Sequence, residues 1–319
     1  MNGAALVADA GLVVTQVALV TLGGPLLIGV MRKVRARLEG RVGAPILQPL
    51  ADLRKLRAKG RVHPRESSWV FAAAPAVLLA TTLAAAAAAP LVSVRPAGSS
   101  SADFFAVVFV LLLGSVTLAL GALDTGTAFA GMGASRSTTV AALAEPALFV
   151  AILALAIPAH TSNLPRLVLL GLDHPASLAG PAHLLALASL VVVIVAETGR
   201  LPVDNPATHL ELTMIHEAMV LEYAGRDLAL VTLGESARLA LLLAILVNLA
   251  TPWGVAVHPG AAWVALGALA LAAKVGVVGA LIALVEVGLA KLRLFRLPEL
   301  LVGGFLLALL GVISAAVVR

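Results

Sequence analysis

The sequence contains no cysteine among its 319 residues, and only 12% of the residues are charged and 4% aromatic. Without cysteine the chain cannot form a disulfide, hold an iron–sulfur cluster or a nickel ion through thiolates, or use a thiol nucleophile. The low share of charge also argues against a soluble domain, in which about 25% of residues are charged. If this protein serves redox chemistry, the metals must therefore lie in a partner.

Apolar residues are abundant instead, since 61% of the chain is hydrophobic and the mean hydropathy is +1.04. Runs of about 20 apolar residues, enough to cross a bilayer as a helix, recur along the whole length. We predict an all-α polytopic membrane helix bundle that forms a single integral membrane domain over residues 1–319. The first run has no basic leader and is expected to be a retained span. The eight predicted spans lie near 9–31, 68–93, 103–122, 138–158, 181–197, 229–250, 260–287 and 299–318.

Lysine and arginine are distributed unevenly between the predicted loops. Residues 32–67 hold 11 of the 22 basic residues, and alternate loops bring 17 to one side against 3 on the other. Such an excess marks the cytoplasmic side of a cell-membrane protein and places both termini outside. The charge lies beside the lipid bilayer and does not indicate a nucleic-acid partner. The predicted ordered cytoplasmic loops are residues 32–67, 123–137, 198–228 and 288–298.

The stretch from Ala196 to Asp227 is unusually acidic for this chain. A charged side chain near membrane depth costs about 2.5 to 3.5 kcal/mol, so such residues tend to face a cavity and to mark an ion or substrate path. A cluster of carboxylates in a poorly hydrated cavity can load and release protons near neutral pH. The six acidic residues of the stretch are Glu197, Asp204, Glu211, Glu217, Glu222 and Asp227.

Local signals predict one helix within that stretch. Asn205 can cap it, Pro206 suits its first position, and Gly225 can end it after Tyr223. These signals predict a helix over residues 206–223. Its histidines lack the spacing of a zinc-binding helix, so no metal site is expected.

Charged residues at helical spacing predict local ion pairs. Glu197 and Arg200 lie about one turn apart, as do Glu235 and Arg238. Each of these two pairs could form a local ion pair.

Lys274 and Glu286 are separated by about 18 Å along one helix and cannot pair. Each therefore needs another partner, and Lys274 is either a relay element or the counter-ion of an interior carboxylate. The sequence PILQPLADLRKLRAKG in the first loop indicates a helix at the membrane interface, with Ile46, Leu50 and Leu53 on one arc. A docked partner protein would explain this helix equally well.

Two long motifs carry a family resemblance. AETGRLPVDNPATHLELTMIHEAMVLEYAG resembles the signature of the H-type (subunit 1) membrane subunit of respiratory complex I. It is more similar still to the related anchor subunit of formate hydrogenlyase and other group 4 energy-converting NiFe hydrogenases. The first loop agrees through Gly43, Pro45 and LQPLADLRKL, and GMGASR followed by Glu145 and Pro146 matches the hydrogenase branch.

The resemblance implies a non-catalytic subunit that anchors a peripheral redox arm and couples electron transfer to proton or sodium translocation. It implies no cofactor in this chain, with the NiFe centre and iron–sulfur clusters in partners. Those partners would be hydrogenase-like large and small subunits, an iron–sulfur subunit and an antiporter-like membrane subunit. The implied ion-translocation residues are Glu145, Glu197, Glu211, Glu217, Glu222, Lys274 and Glu286. The implied docking or cavity residues are Glu39, Arg41, Gln48, Asp52, Lys55, Arg136, Arg200, Asp204 and Tyr223.

Two alternatives stay open at the level of sequence. One is the quinone-cavity subunit of an NADH:quinone oxidoreductase. Val203 and residues 205–209 argue against it, because they depart from the usual complex I pattern. The other, from a different class, is an autonomous ion-coupled secondary transporter that uses Lys274 and the buried carboxylates. Eight spans without an internal repeat, together with a large ordered cytoplasmic face, favour a subunit over the transporter.

Overall fold

The computed structural model describes residues 3–94, 102–204, 214–257, 260–292 and 294–317, with side chains from residue 10 onward except that of Leu294. The described residues contain helices and no β-strand, as the all-α prediction requires. Short 3-10 helices lie at Pro175–Ala179 and Leu294–Arg296. The α-helices are α1 Gly3–Leu38, α2 Gln48–Ala58, α3 Trp69–Ala88, α4 Phe104–Asp124, α5 Ala128–Ala159, α6 Leu164–Asp173, α7 Pro181–Glu197, α8 His216–Val220, α9 Gly225–Ala250, α10 Ala261–Gly288 and α11 Leu297–Val317.

The long apolar helices coincide with the predicted spans. Within the described residues, seven helices are long and apolar enough to cross a membrane: α1, α3, α4, α5, α9, α10 and α11. The remaining predicted span, 181–197, corresponds to α7, an apolar helix of 17 residues. The protein is therefore a multi-pass membrane protein, and the predicted polytopic bundle is confirmed.

Two of the predicted loops are shorter in the structure than the sequence indicated. Helix α1 continues to Leu38, and α5 begins at Ala128, ten residues before the predicted span, so Arg136 lies in a helix. The polar beginning of α5 stays helical because it packs closely on α8. A Cβ atom added at Gly133 would lie 2.9 Å from the Cβ of Ala218. Tertiary packing therefore overrides the loop-like composition of this segment.

Helix α9 lies at the centre of the bundle. In its most apolar stretch 72% of residues are buried, against 22% in the corresponding stretch of α10. It packs against α1, α3, α7 and α10. Its polar side chains find partners inside the protein, since Asn248 donates hydrogen bonds to the carbonyls of Pro90 and Leu91 at 3.1 and 2.8 Å. Two charged residues of α9, Asp227 and Arg238, are likewise buried in the interior.

The connections divide between two ends of the bundle. One end, which we call the basic end, is formed by residues 39–68, 125–127, 198–204, 214–224 and 289–292. The amide of Leu292 donates to the carbonyl of Pro202 at 2.9 Å and joins two of its loops, and Arg61 contacts Asp227 in the first turn of α9 at 2.7 Å. Residues 164–179 lie at the opposite end, where they fold as α6 and a short 3-10 helix.

Candidate functional site: a charged cavity at the basic end

A cavity of about 610 Å³ lies between the helices at the basic end. Helices α1, α3, α4, α5, α7, α8 and α9 all contribute to its wall, together with residues 41–44 and 198–204. Its volume falls in the range of small-molecule sites, about 300 to 1,000 Å³. Its titratable and charged lining residues are Arg32, Arg35, Arg41, Glu197, Arg200, Asp204, His216, Glu217, Glu235 and Arg238.

Arg238 of α9 is bound to Glu197 at the end of α7. Its Nη2 donates to Glu197 Oε2 at 2.6 Å, and its Nη1 donates to the Ser115 hydroxyl and to the carbonyl of Leu111 at 3.3 Å. The predicted pairs Glu197 with Arg200 and Glu235 with Arg238 are therefore wrong. Helix α7 brings a carboxylate and α4 brings two oxygen acceptors to the guanidinium, and together these outcompete a single neighbour on the same helix.

Glu235 is left without that predicted partner. It faces the cavity one turn before Arg238, and its Oε1 atom is buried with no hydrogen-bond partner among the described residues. Buried carboxylate oxygens normally have a partner, so this one is an exception that calls for a functional explanation.

Glu286 lies beside two arginines at the same end. Its side chain is fully buried and accepts a hydrogen bond from Arg35, and Nη1 of Arg200 lies 3.9 Å from Oε1. Burial lowers the pKa of Arg200, and the nearby Glu286 opposes that shift. The prediction that Lys274 and Glu286 have separate partners is confirmed, because Lys274 Nζ donates to the carbonyl of Thr251 at 2.5 Å.

Asp204 is a buried junction between two loops. Its Oδ2 accepts the amides of Ile215 and His216, each at 3.1 Å, and its Oδ1 accepts from Lys291 at 2.9 Å. Burial would raise the pKa of Asp204, but hydrogen bonds from His216 and Lys291 outweigh it and hold the pKa well below its usual range. Burial would lower the pKa of His216, but Asp204 and nearby carboxylates raise it above its usual value.

The same junction explains why the predicted helix over 206–223 is wrong in its described part. Met214 and Ile215 are not helical, and α8 covers only His216–Val220. Asp204 receives the amides at the start of α8, which is the capping role predicted for Asn205. Gly225 does not close this helix but opens α9 with a φ of +54°. The prediction for Glu211, like the cap at Asn205, falls on residues 205–213, outside the described part of the chain.

The other predicted ion-path residues divide between two cavities. Glu197 and Glu217 line the large cavity. Glu145 lines a second cavity of about 40 Å³ between α4, α5, α7 and α9, which Glu197 and Arg238 also line. Glu222 lines neither cavity, so its place in an ion path stays a prediction.

Residues predicted for docking lie mostly on the surface of the basic end. Glu39 and Arg41 form an exposed ion pair, and Gln48 donates to Asp52 at 2.8 Å within α2, where Lys55 is exposed.

Two residues predicted for docking or the cavity have structural partners instead. Arg136 donates to the carbonyl of Met214 at 3.0 Å, and so joins α5 to the segment before α8. The ring of Tyr223 stacks on Phe71 with centroids 4.2 Å apart, and its hydroxyl donates to the carbonyl of Phe71 at 3.3 Å. Neither side chain lines the large cavity.

Several cavity residues were not predicted. Arg35 was counted only as one of many basic loop residues, His216 was considered only as a metal ligand, and Glu235 and Arg238 were paired with each other. The available signal was the presence of three charged positions at span depth in α7 and α9. No group of three or more His, Cys, Asp and Glu side chains suited to a metal ion occurs in the part of the chain that the structure describes.

Comparisons with known proteins agree with this architecture. The chain is 33% identical over 291 residues to formate hydrogenlyase subunit 4 of Escherichia coli, covering 91% of this chain and 93% of that protein. It is 30% identical to hydrogenase-4 component C of the same organism, over 90% of each chain. The H-type subunit of the NADH-quinone oxidoreductase of Syntrophotalea carbinolica is 28% identical over 76% of each chain.

A solved structure has the same fold. The chain superposes with a TM-score of 0.79 and 20% identity on a chain of the membrane-bound sulfane sulfur reductase, an archaeal respiratory membrane complex, covering 96% of this chain and 99% of that one. A family model described as NADH dehydrogenase matches residues 10–317. The chain therefore belongs to the NADH dehydrogenase family, as an H-type (subunit 1) membrane subunit of complex I-like enzymes.

Proposed function

We propose that this chain is the membrane subunit of a hydrogenase or formate hydrogenlyase-type complex, in which it anchors a peripheral redox arm and couples electron transfer to proton or sodium translocation. The two relatives with the highest identity given above belong to such systems by name. In this role the chain binds no redox cofactor itself.

The observation that carries the proposal is the charged cavity at the basic end. Carboxylates and arginines line it at the point where spans end and loops begin, and some of its carboxylate oxygens are buried. A change of charge at a neighbouring redox centre would shift the proton affinity of such carboxylates, because low-dielectric surroundings weaken screening. Glu197, Glu217 and Glu235 are placed to respond in this way.

The surface of the basic end supports docking of a partner arm. Large apolar side chains are exposed there among basic residues, and an exposed apolar patch rimmed by polar groups is typical of an interaction site. Val42 is 72% exposed and Leu47 63%, and Phe295, in the 3-10 helix that follows residues 289–292, is 91% exposed. The expected partners are hydrogenase-like large and small subunits and an iron–sulfur subunit, with an antiporter-like subunit within the membrane. These partners would hold the NiFe centre and clusters, for which this cysteine-free chain offers no thiolate.

In this arrangement the basic end faces the cytoplasm, and both termini lie outside the cell membrane. The lack of native cysteine makes this orientation simple to test. We expect a single cysteine introduced at Lys59 to react with a membrane-impermeant thiol reagent only in inverted vesicles. A cysteine introduced at Arg166 should react only in right-side-out cells, and the reverse pattern would contradict the orientation.

The volume of the cavity also suits a second candidate, a quinone head group bound as in NADH:quinone oxidoreductases. Arg200 lines the cavity and could hydrogen-bond a quinone oxygen. Val203, by contrast, is 1% exposed and packs in the core. Reduction of an added short-chain quinone by the purified complex, abolished by Arg200→Gln, would favour this candidate over the first.

Purification through an affinity tag on this chain tests the proposed function. We expect the chain to co-purify in mild detergent with proteins that carry stoichiometric nickel and iron, and the preparation to evolve or oxidise hydrogen. Co-purification with iron-containing proteins that lack nickel and oxidise NADH would support the quinone alternative. A chain that purifies alone and carries out ion-coupled flux in liposomes would contradict both.

A further inference from the structure

One arginine lies in the wall between the two cavities. Arg238 and Glu197 line both the large cavity and the small one, whereas Glu235 lines only the large cavity and Glu145 only the small one. Among the described residues, Arg238 is the only cation that lines both cavities. The two cavities therefore border the same ion pair, which lies between Glu235 on one side and Glu145 on the other.

The contacts of Arg238 hold its side chain at this boundary in the structure. Its guanidinium is bound to Glu197 at 2.6 Å, to Ser115 and to the carbonyl of Leu111, and the residue is 8% exposed. Arginine remains protonated in proteins and has no acceptor, so it cannot relay a proton itself. While the bond lasts, it holds Glu197 as its acceptor and places a positive charge where a proton would cross.

Glu235 is a second potential acceptor for the guanidinium of Arg238. It precedes Arg238 by three residues on α9, a spacing at which Cβ atoms lie about 5 to 6 Å apart. Its Oε1 has no hydrogen-bond partner among the described residues, although the atom is buried. His216, Glu217 and Arg200 are the other charged or titratable groups that act on this carboxylate. A rotation of the Arg238 side chain, without movement of the backbone, would exchange one carboxylate for the other.

We propose that Arg238 is a gate between the two cavities, which closes when it binds Glu197 and opens when it turns to Glu235. In the open position Glu197 is free to take a proton from water in the large cavity and to pass it through water in the small cavity to Glu145. The arginine stays protonated throughout, so one proton enters and one moves on. The small cavity has about 40 Å³, enough to hold water.

This gate rests on the proposed translocation, but it can be tested apart from redox activity. The purified complex is reconstituted in liposomes, and passive proton flux is measured under an imposed potassium diffusion potential. We expect Arg238→Gln to raise passive flux severalfold, because the barrier charge is lost, and Arg238→Lys to restore it toward the wild-type value. The matched control is Arg226→Gln, which removes an exposed arginine of the same helix that lines neither cavity and should leave passive flux unchanged.

Substitution of Glu235 should change redox-driven ion movement and not passive flux. Glu235→Gln removes the alternative acceptor, so Arg238 stays on Glu197. We expect passive flux at the wild-type level but loss of redox-driven ion movement. If Arg238→Gln does not assemble, Ser115→Ala keeps the charge while removing one acceptor, and it should raise passive flux to a smaller extent.

Passive flux at the wild-type level in Arg238→Gln, or in Ser115→Ala where only that variant assembles, would overturn the gate. So would full redox-driven ion movement in Glu235→Gln. If the proposed function is wrong, the wild-type complex will turn over without moving ions. In that case the passive-flux comparison still decides whether Arg238 is a barrier.

Discussion

Arg35 of α1 and Glu286 of α10 lie 251 positions apart in the chain and are hydrogen-bonded to each other at the basic end. The carboxylate is fully buried, and Arg200 from the loop after α7 lies 3.9 Å from its other oxygen. Three separate segments are thus joined at one acidic side chain. Such an arrangement holds two arginines together in the wall of the cavity, where their charges would otherwise repel.

Substitution of that carboxylate should destabilise the protein strongly. Removing one partner of a buried ion pair costs about 3 to 5 kcal/mol, because the remaining charge is left buried without compensation. We therefore expect Glu286→Gln to lower the midpoint of thermal unfolding in detergent substantially. Glu299→Gln, at an exposed position of α11, is the matched control and should leave the midpoint nearly unchanged. Equal midpoints for the two variants would show that Glu286 is not needed to hold the arginines.

How much of this site the sequence could predict depends on the range of each contact. The spans, the loop-rich basic end and the separate partners of Lys274 and Glu286 follow from composition, charge asymmetry and helix length. The pairing of Arg238 with Glu197 does not, because sequence spacing reports only neighbours on one helix, and the decisive acceptors come from α4 and α7. The helix over 206–223 was wrong for a similar reason: Asp204 reaches forward eleven residues to receive the amide of Ile215.

The junction at Asp204 should depend on pH in a predictable direction. The pKa of His216 is raised in the folded protein, chiefly by Asp204 and despite burial. A raised pKa means that its contribution to stability is present below the unfolded value of about 6.5 and is lost as pH rises through the folded value. We expect His216→Gln to lower the thermal midpoint more at pH 6 than at pH 9. A difference that is the same at both values would contradict a charged His216.

Asp204 sets the acid limit of the same junction. Its pKa is depressed in the folded protein by hydrogen bonds from His216 and Lys291, which outweigh burial. Its contribution is therefore present above the usual pKa of an aspartate, about 3.9, and is lost only as pH falls through the depressed value. We expect Asp204→Asn to destabilise the protein at neutral pH, with a thermal midpoint well below that of wild type. The difference should shrink as the pH approaches the acid limit, and a difference that grows instead would contradict this linkage.

Gly225 should be required for the contact between the first loop and α9. Its φ is +54°, and a Cβ atom added there would lie 2.1 Å from the carbonyl oxygen of Gly60. The left-handed conformation alone costs a non-glycine residue about 1 to 2 kcal/mol, and the clash adds to that. We expect Gly225→Ala to lower the thermal midpoint and to increase proteolysis of the first loop. Gly131→Ala is the control, because nothing lies within 4 Å of its added Cβ. Similar behaviour of the two variants would contradict close packing at Gly60.

Tyr223 should contribute to stability through its ring more than through its hydroxyl. Burial raises the pKa of Tyr223, so the phenol stays protonated and donates to Phe71. Loss of one such hydrogen bond costs about 1 kcal/mol, whereas loss of a buried aromatic ring costs about 3 to 5 kcal/mol. We expect Tyr223→Phe to assemble and turn over normally, and Tyr223→Ala to assemble poorly, as judged by co-purification with partner subunits. Loss of ion movement in an assembled Tyr223→Phe complex would instead assign the hydroxyl to the ion path.

The central claim is that the cavity carboxylates couple redox turnover to ion movement, and Glu197 is the residue shared by both cavities. The most direct test measures ions moved per hydrogen formed or consumed by the reconstituted complex, comparing Glu197→Gln with Glu66→Gln at an exposed position of the first loop. We predict that both variants assemble and turn over, that Glu66→Gln keeps the wild-type ratio, and that Glu197→Gln loses ion movement. An unchanged ratio in Glu197→Gln would contradict the account.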